Sequence, residues 1–217
     1  AWIETESHMA KILSVAEAGW IDAARQTLEG GGLVAFPTDT VYGVGASAYN
    51  VLAIERIFRA KRRPREKAIP LLIAGVEKLP HVAAEVPDSA HLLGERYWPG
   101  ALTLVLAMHP GLPEAISLSG TVGVRVPDHP VALALLGAYG TLAVTSANIS
   151  GMPEARTASQ VEEALGQALD LILDGGRTPG GVPSTVVDLT QQPPKLLREG
   201  PIPWEEIKNM LAAGRRR

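Results

Sequence analysis

Between Gly30 and Lys67 the chain reads GGGLVAFPTDTVYGVGASAYNVLAIERIFRAKRRPREK, and no other stretch limits its fold as tightly. Residues 33–36 form a short apolar run closed by Pro37, the pattern of a buried strand. A hydroxyl-rich turn follows with Thr38, Asp39 and Thr40. Asn50 suits a helix N-cap, and Val51, Ile54, Ile57 and Phe58 recur at the spacing of one packed helical face. Pro64 is expected to end that helix amid the basic cluster that runs from Arg59 to Lys67. This order sets small polar groups at the end of a buried strand and lets a helix deliver concentrated positive charge to the same side. A pocket for a polar, anionic small molecule is the expectation.

The remainder alternates strand and helix. Residues 69–74, 102–107, 122–126, 142–145, 171–173, 184–189 and 195–198 read as strands. Helices are expected over residues 88–97, from Pro130 onward, from Ser159 to about Leu169 with Ser159 and Glu162 as a capping box, and from Pro203 with Ile207 and Leu211 inward. No repeat and no long linker divides the chain. The connection between residues 107 and 122 looks too loop-like for a helical crossover, so the fold class is α/β, a single domain with a mixed sheet. Residues 1–8, AWIETESH, lack the basic-then-apolar design of a signal peptide and read as an added remnant ahead of a natural start at Met9, leaving 9–217 as the domain.

Bulk properties exclude more than they assign. The 217 residues, 46% hydrophobic and 20% charged, suit one ordinary globular domain. A net charge of −3 gives no global argument for nucleic acid, which leaves only the cluster from Arg59 to Lys67 and the tail Arg215, Arg216 and Arg217. With no cysteine there is no disulfide, thiolate metal site or Cys nucleophile, and no apolar run reaches membrane-spanning length. Neither GxxxxGK[ST] nor a strand-to-helix GxGxxG occurs, so any phosphate site must be built from side-chain cations and backbone amides. His81, His91, His109 and His129 lack metal-motif spacing, and no metal site is expected.

Three hydroxyl-bearing turns stand out. Thr38 and Thr40 follow one strand, Ser146 and Asn148 follow another, and Ser184 and Thr185 come after the Gly-rich GGRTPGGVP. Such residues often do no more than bond their own backbone, but turns at strand ends in an α/β sheet also converge on ligand crevices. Lys61 and Arg63 either complement the helix dipole or, if the backbone becomes extended there, reach together into one groove. Arg125 interrupts the apolar TVGVRVP, where it faces solvent or is aimed at an anion such as a carboxylate. Asp39 and Asp128 are available as bases or cation ligands, or are ordinary turn residues.

Taken in order, GGLVAFPTDTVYGVG, AKRRPREKAIPL, VGVRVPDHP, TSANISG, PSTVVDL and LLREGP closely resemble the YrdC-like family, threonylcarbamoyl-AMP synthases that begin the formation of threonylcarbamoyladenosine in tRNA. The resemblance covers about Ala10 to Trp204 and is to the short, single-domain form; where longer relatives carry a histidine this chain has Ala74. It implies a twisted mixed sheet with flanking helices and a basic concave cleft, a cytoplasmic nucleotidyltransferase, and the substrates ATP with Mg2+, L-threonine and bicarbonate. It further implies threonine contacts from Thr40, Arg125, Ser146 and Ser184, and ATP contacts from Lys61, Arg63, Lys67, Thr121, Asn148, Arg156 and Arg198, with Lys61 and Arg63 offsetting charge in the reaction. The partners it implies are the downstream threonylcarbamoyl-transfer machinery and tRNA. An RNA-binding module, or a relative acting on another acyl or carbamoyl substrate, is the alternative reading.

Overall fold

The computed structural model describes residues 8–214; residues 1–7 of the expected remnant and the basic tail at 215–217 lie outside it. Ten strands form one mixed sheet in the order β1-β8-β2-β3-β7-β4-β6-β5-β9-β10. They are β1 Lys11–Ser14, β2 Val34–Pro37, β3 Tyr42–Ser47, β4 Leu71–Leu72, β5 Leu102–Ala107, β6 Thr121–Arg125, β7 Leu142–Ser146, β8 Leu171–Asp174, β9 Thr185–Asp188 and β10 Lys195–Arg198. Six α-helices flank them: α1 Trp20–Glu29, α2 Val51–Lys61, α3 Asp88–Tyr97, α4 Pro130–Tyr139, α5 Ala158–Leu165 and α6 Trp204–Gly214. Among the described residues no helix is long and apolar enough to cross a membrane.

Strand alternation divides the core into two layers. Val34 and Phe36 pack with Ala24 and Leu28 of α1 and with Leu135 and Leu136 of α4. Leu33 and Ala35, pointing the other way, join the larger cluster with α2, α3, α5 and α6. Ile207 and Leu211 of α6 are buried as expected. α1 and α4 cover only part of their face of the sheet, and the rest, over β3, β7, β4, β6, β5 and β9, is open floor for a cavity.

Several expected elements differ in detail. Asn50 caps α2 by accepting a hydrogen bond from the Ala53 amide, but Val51 is exposed; only Ile54, Ile57 and Phe58 of the expected face are buried. The cap of α5 is Thr157, which accepts from the Gln160 amide, rather than Ser159; the Gln160 side chain accepts in turn from the Arg156 amide, and the helix ends at Leu165. Of the strand expected over 69–74, only Leu71 and Leu72 are in register with both neighbours, with single backbone bonds beyond them from the Val144 amide to the Pro70 carbonyl and from the Ile73 amide to the Arg125 carbonyl. α2 ends at Lys61, before Pro64, because Arg62 adopts a left-handed conformation (φ 50°, ψ 41°) that closes the last turn.

Candidate functional site

On the open floor lies a cavity of about 440 Å³. Its base is the cleft-facing set of strand residues, Val144, Leu72, Gly123, Val105 and Val186 among them, and its rim carries Thr38, Thr40, Ser146 and Ser184. All three hydroxyl-bearing turns therefore supply the cavity, although Thr185 faces away and bonds the Ile202 carbonyl. Arg63, Arg125 and Arg198 line it, against a single acidic residue, Glu154. Three guanidinium groups against Glu154 and the Asp39 carboxylate that pairs with Arg125 leave the site net positive, and with hydroxyls between they make a site for a polar anion.

Two glycines make the floor concave. A Cβ at Gly43 would lie 2.8 Å from Val144 Cγ1, and one at Gly123 would lie 3.1 Å from Thr103 Cγ2. Strand register places the Arg125 backbone level with Leu72 and Leu142, whereas Gly43 pairs with Ser146, so the two residues start from opposite ends of the floor and the Arg125 side chain reaches across to Asp39 in the turn before Tyr42.

At the Ser146 end, Lys61 and Arg63 do not reach into one groove together. The backbone between them is not extended; Arg62 is left-handed, and Lys61 ends on the 146–150 loop while Arg63 ends on the cavity. Lys61 is buried at 1% exposure, and its Nζ donates to the carbonyls of Ser146 and Asn148 and, at 3.3 Å, to Asn148 Oδ1. It does not line the cavity. Burial, reinforced by the nearby Arg63 charge, pulls its pKa down to about 8, with Glu154 opposing. Arg63 does line the cavity, anchored by bonds from Nε to the Lys67 carbonyl (3.1 Å) and from an Nη to the Ala68 carbonyl (2.7 Å). Burial lowers its pKa too, as for any cation withdrawn from water.

At the other end, Arg125 is not solvated: its side chain is 11% exposed and donates through Nε to the Gly100 carbonyl and through an Nη to Asp39 Oδ2. Burial lowers the Arg125 pKa, with Asp39 pulling the other way. The second carboxylate oxygen of Asp39 is buried with no hydrogen-bond partner. Ser184 Oγ bonds Thr103 Oγ1 at 2.8 Å and accepts from Arg198 at 3.3 Å. Thr103 was not a candidate from sequence, yet it carries the same signal as Arg125, a polar residue interrupting an apolar strand, LTLVLA.

Besides Lys61, four more of the expected ATP contacts lie off this cavity. Asn148 is spent inside its own loop, accepting from Ser146 Oγ (2.6 Å) and donating to the carbonyls of Ile149 and Met152; it borders a neighbouring groove instead. Arg156 donates to the carbonyls of Thr178 and Pro179 and so fastens the Gly-rich loop. That loop is tied down further by Gly180 N–H to the Thr40 carbonyl (2.7 Å) and by Tyr42 Oη to the Gly176 carbonyl (2.7 Å). Lys67 is exposed, and Thr121 Oγ1 bonds Ser119. Among the described residues no three His, Cys, Asp or Glu side chains are grouped to hold a metal ion.

The Sua5–YciO–YrdC family model, described as telomere recombination, matches residues 26–200. The chain belongs to this family. Among family relatives, it is 46% identical over 183 residues to the threonylcarbamoyl-AMP synthase of Pyrococcus abyssi, covering 83% of this chain and 54% of that protein, so it spans about half that relative's length. It is 37% identical over 169 residues to the threonylcarbamoyl-AMP synthase of Marinobacter nauticus, covering 76% of this chain and 89% of that one. The crystal structure of Pyrococcus abyssi Sua5 complexed with L-threonine matches with a TM-score of 0.85 at 43% identity, over 94% of this chain and 61% of that one. The YrdC-like fold expected from the motifs is thus the fold observed.

Proposed function

We propose that the chain makes threonylcarbamoyl-AMP and pyrophosphate from L-threonine, bicarbonate and ATP, the first step of threonylcarbamoyladenosine formation in tRNA. The observation that carries this reading is the cavity itself, three arginines and the rim hydroxyls of Thr38, Thr40, Ser146 and Ser184 over an apolar floor, in the fold of a relative crystallised with L-threonine. Threonine would set its carboxylate against Arg125, with Thr40, Ser146 and Ser184 around its polar groups. The remaining guanidiniums, Arg63 and Arg198, face the same space and suit the triphosphate.

The chemistry needs alignment more than covalent help. The threonine amine adds to bicarbonate with loss of water to give an N-carboxylate; that carboxylate attacks the α-phosphorus, and pyrophosphate leaves with the electron pair of the broken P–O bond. Aligning one anion against another in a site lined by fixed cations lowers the barrier by positioning and by offsetting charge as phosphorus becomes five-coordinate. Magnesium would arrive with the nucleotide as MgATP and would offset triphosphate charge alongside Arg63 and Arg198.

Pyrophosphate release from MgATP, with L-threonine and bicarbonate each present or omitted, tests the proposal. Release that requires both is the expected result. Release independent of threonine would sink it and favour another acyl or carbamoyl substrate, and binding of RNA without turnover would favour a binding module.

A further inference from the structure

We propose that Lys61 is a positioning residue: its ammonium clamps the loop of residues 146–150 in the shape that presents Ser146 to the amino acid, and it does not itself touch the triphosphate. This rests on the functional reading above and assigns Lys61 a role other than the phosphate contact expected from its motif.

An ammonium has three N–H donors and no acceptor. Here three oxygens of one loop, the Ser146 and Asn148 carbonyls and Asn148 Oδ1, take up that capacity. The clamp closes from the main chain as well, because the Lys61 carbonyl accepts from the Ser150 amide at 2.9 Å. Asn148 Oδ1 also receives the Ser146 hydroxyl at 2.6 Å, so ammonium, amide and hydroxyl form one connected chain that ends at the cavity rim. Ser150 Oγ is buried without a partner, an arrangement that a loop free to move would relax by turning the hydroxyl to water. A phosphate oxygen can reach Lys61 Nζ only if one of these bonds breaks. By contrast, the left-handed turn at Arg62 leaves Arg63 on the cavity, where a direct anion contact costs no loop bond.

Threonine binding measured by calorimetry without ATP separates the two roles. It is combined with the KM for MgATP, amide hydrogen exchange at residues 146–150 and thermal melts, for wild type, Lys61→Met and Lys61→Arg. The clamp predicts that both variants fold, lose roughly tenfold or more in ATP-free threonine affinity, as small displacements in a site do, and exchange faster at 146–150. Arginine fails along with methionine because a planar fork cannot reproduce the compact three-way geometry. Unchanged threonine affinity and exchange with a raised KM for MgATP would overturn the proposal in favour of direct phosphate contact. Full recovery in Lys61→Arg would overturn it in favour of charge alone, and failure of both variants to fold would make Lys61 a residue of the fold instead. If wild type binds no threonine, the functional reading fails first, and the exchange arm still decides the clamp.

Discussion

Lys61 and Arg125 are both buried cations at the margin of one cavity, and the fold holds them by opposite means. Lys61 is hydrogen-bonded to neutral oxygens of the 146–150 loop, and no carboxylate pairs with it directly, so its positive charge is offset only in part, by the Glu154 charge. Arg125 meets the Asp39 carboxylate, so charge is cancelled and what the pair provides is orientation. One corner of the site therefore contributes field and the other contributes shape. A carboxylate ligand that approached Arg125 would find a guanidinium already fixed at two of its edges, by Gly100 and Asp39, which spares the ordering of a flexible side chain on binding.

The sharpest way to break this contrast is to remove Arg125. Arg125→Ala leaves Asp39 largely withdrawn from water, with one oxygen newly unpaired and the other, buried one unpaired already. Breaking such a pair from one side typically costs about 3–5 kcal/mol of stability. Denaturant melts should show that loss, and threonine affinity should fall by roughly 30-fold or more. Adding Asp39→Asn to Arg125→Ala should restore much of the stability but none of the affinity. If the single variant melted like wild type, orientation by Asp39 would not be the function of the pair.

Next in size are the two floor glycines, one for each corner. Gly43→Ala drives a methyl to 2.8 Å from the β-branched Val144 beside Ser146, so overpacking of about 1–3 kcal/mol is expected, with poorer threonine binding. Gly123→Ala, near Arg125, meets Thr103 Cγ2 at 3.1 Å and should cost less, because that contact needs a shift of only a few tenths of an ångström. Equal melting points for the two variants would mean that the corners tolerate crowding alike.

The parts of this arrangement that were legible in the sequence are those written in local chemistry. Asn50 before a periodic apolar face, Pro130 at a helix start and the apolar runs of β5, β7 and β8 each announced their element. β3 was missed because YGVGAS puts glycines where strand formers are expected, and those glycines exist to admit Val144 and Phe36. α1 was missed because its N-cap is Gly19 with positive φ and no side-chain bond, and β1 because its residues are largely exposed and do not alternate. Motif order brought Thr40, Arg63, Arg125, Ser146, Ser184 and Arg198 to one cavity. It did not separate Lys61 from Arg63, because that separation depends on one left-handed residue, a conformation that an arginine gives no hint of adopting.

The smallest expected effect is a pH dependence that distinguishes the corners without mutation of Arg125. Burial brings the Lys61 pKa from its ordinary 10.5 to about 8, with Arg63 adding to the shift and the Glu154 charge resisting it. Between those values the unfolded chain binds a proton that the native state has released. Stability contributed by Lys61 therefore rises with pH through this window, because deprotonation relieves the cost of burying the charge. The clamp moves the other way. A neutral amine has two N–H donors where the ammonium has three, so one loop oxygen loses its bond above pH 8. Threonine binding without ATP should fall about twofold near that pH relative to Lys61→Met, a ratio that removes the titration of threonine itself. Arg125 has no such limb, since a guanidinium beside a carboxylate stays protonated across the range. A wild-type to variant ratio that stayed flat from pH 7 to 9.5 would mean that the loop does not depend on the third donor, and the two corners would then differ in charge but not in how firmly each holds its side of the cavity.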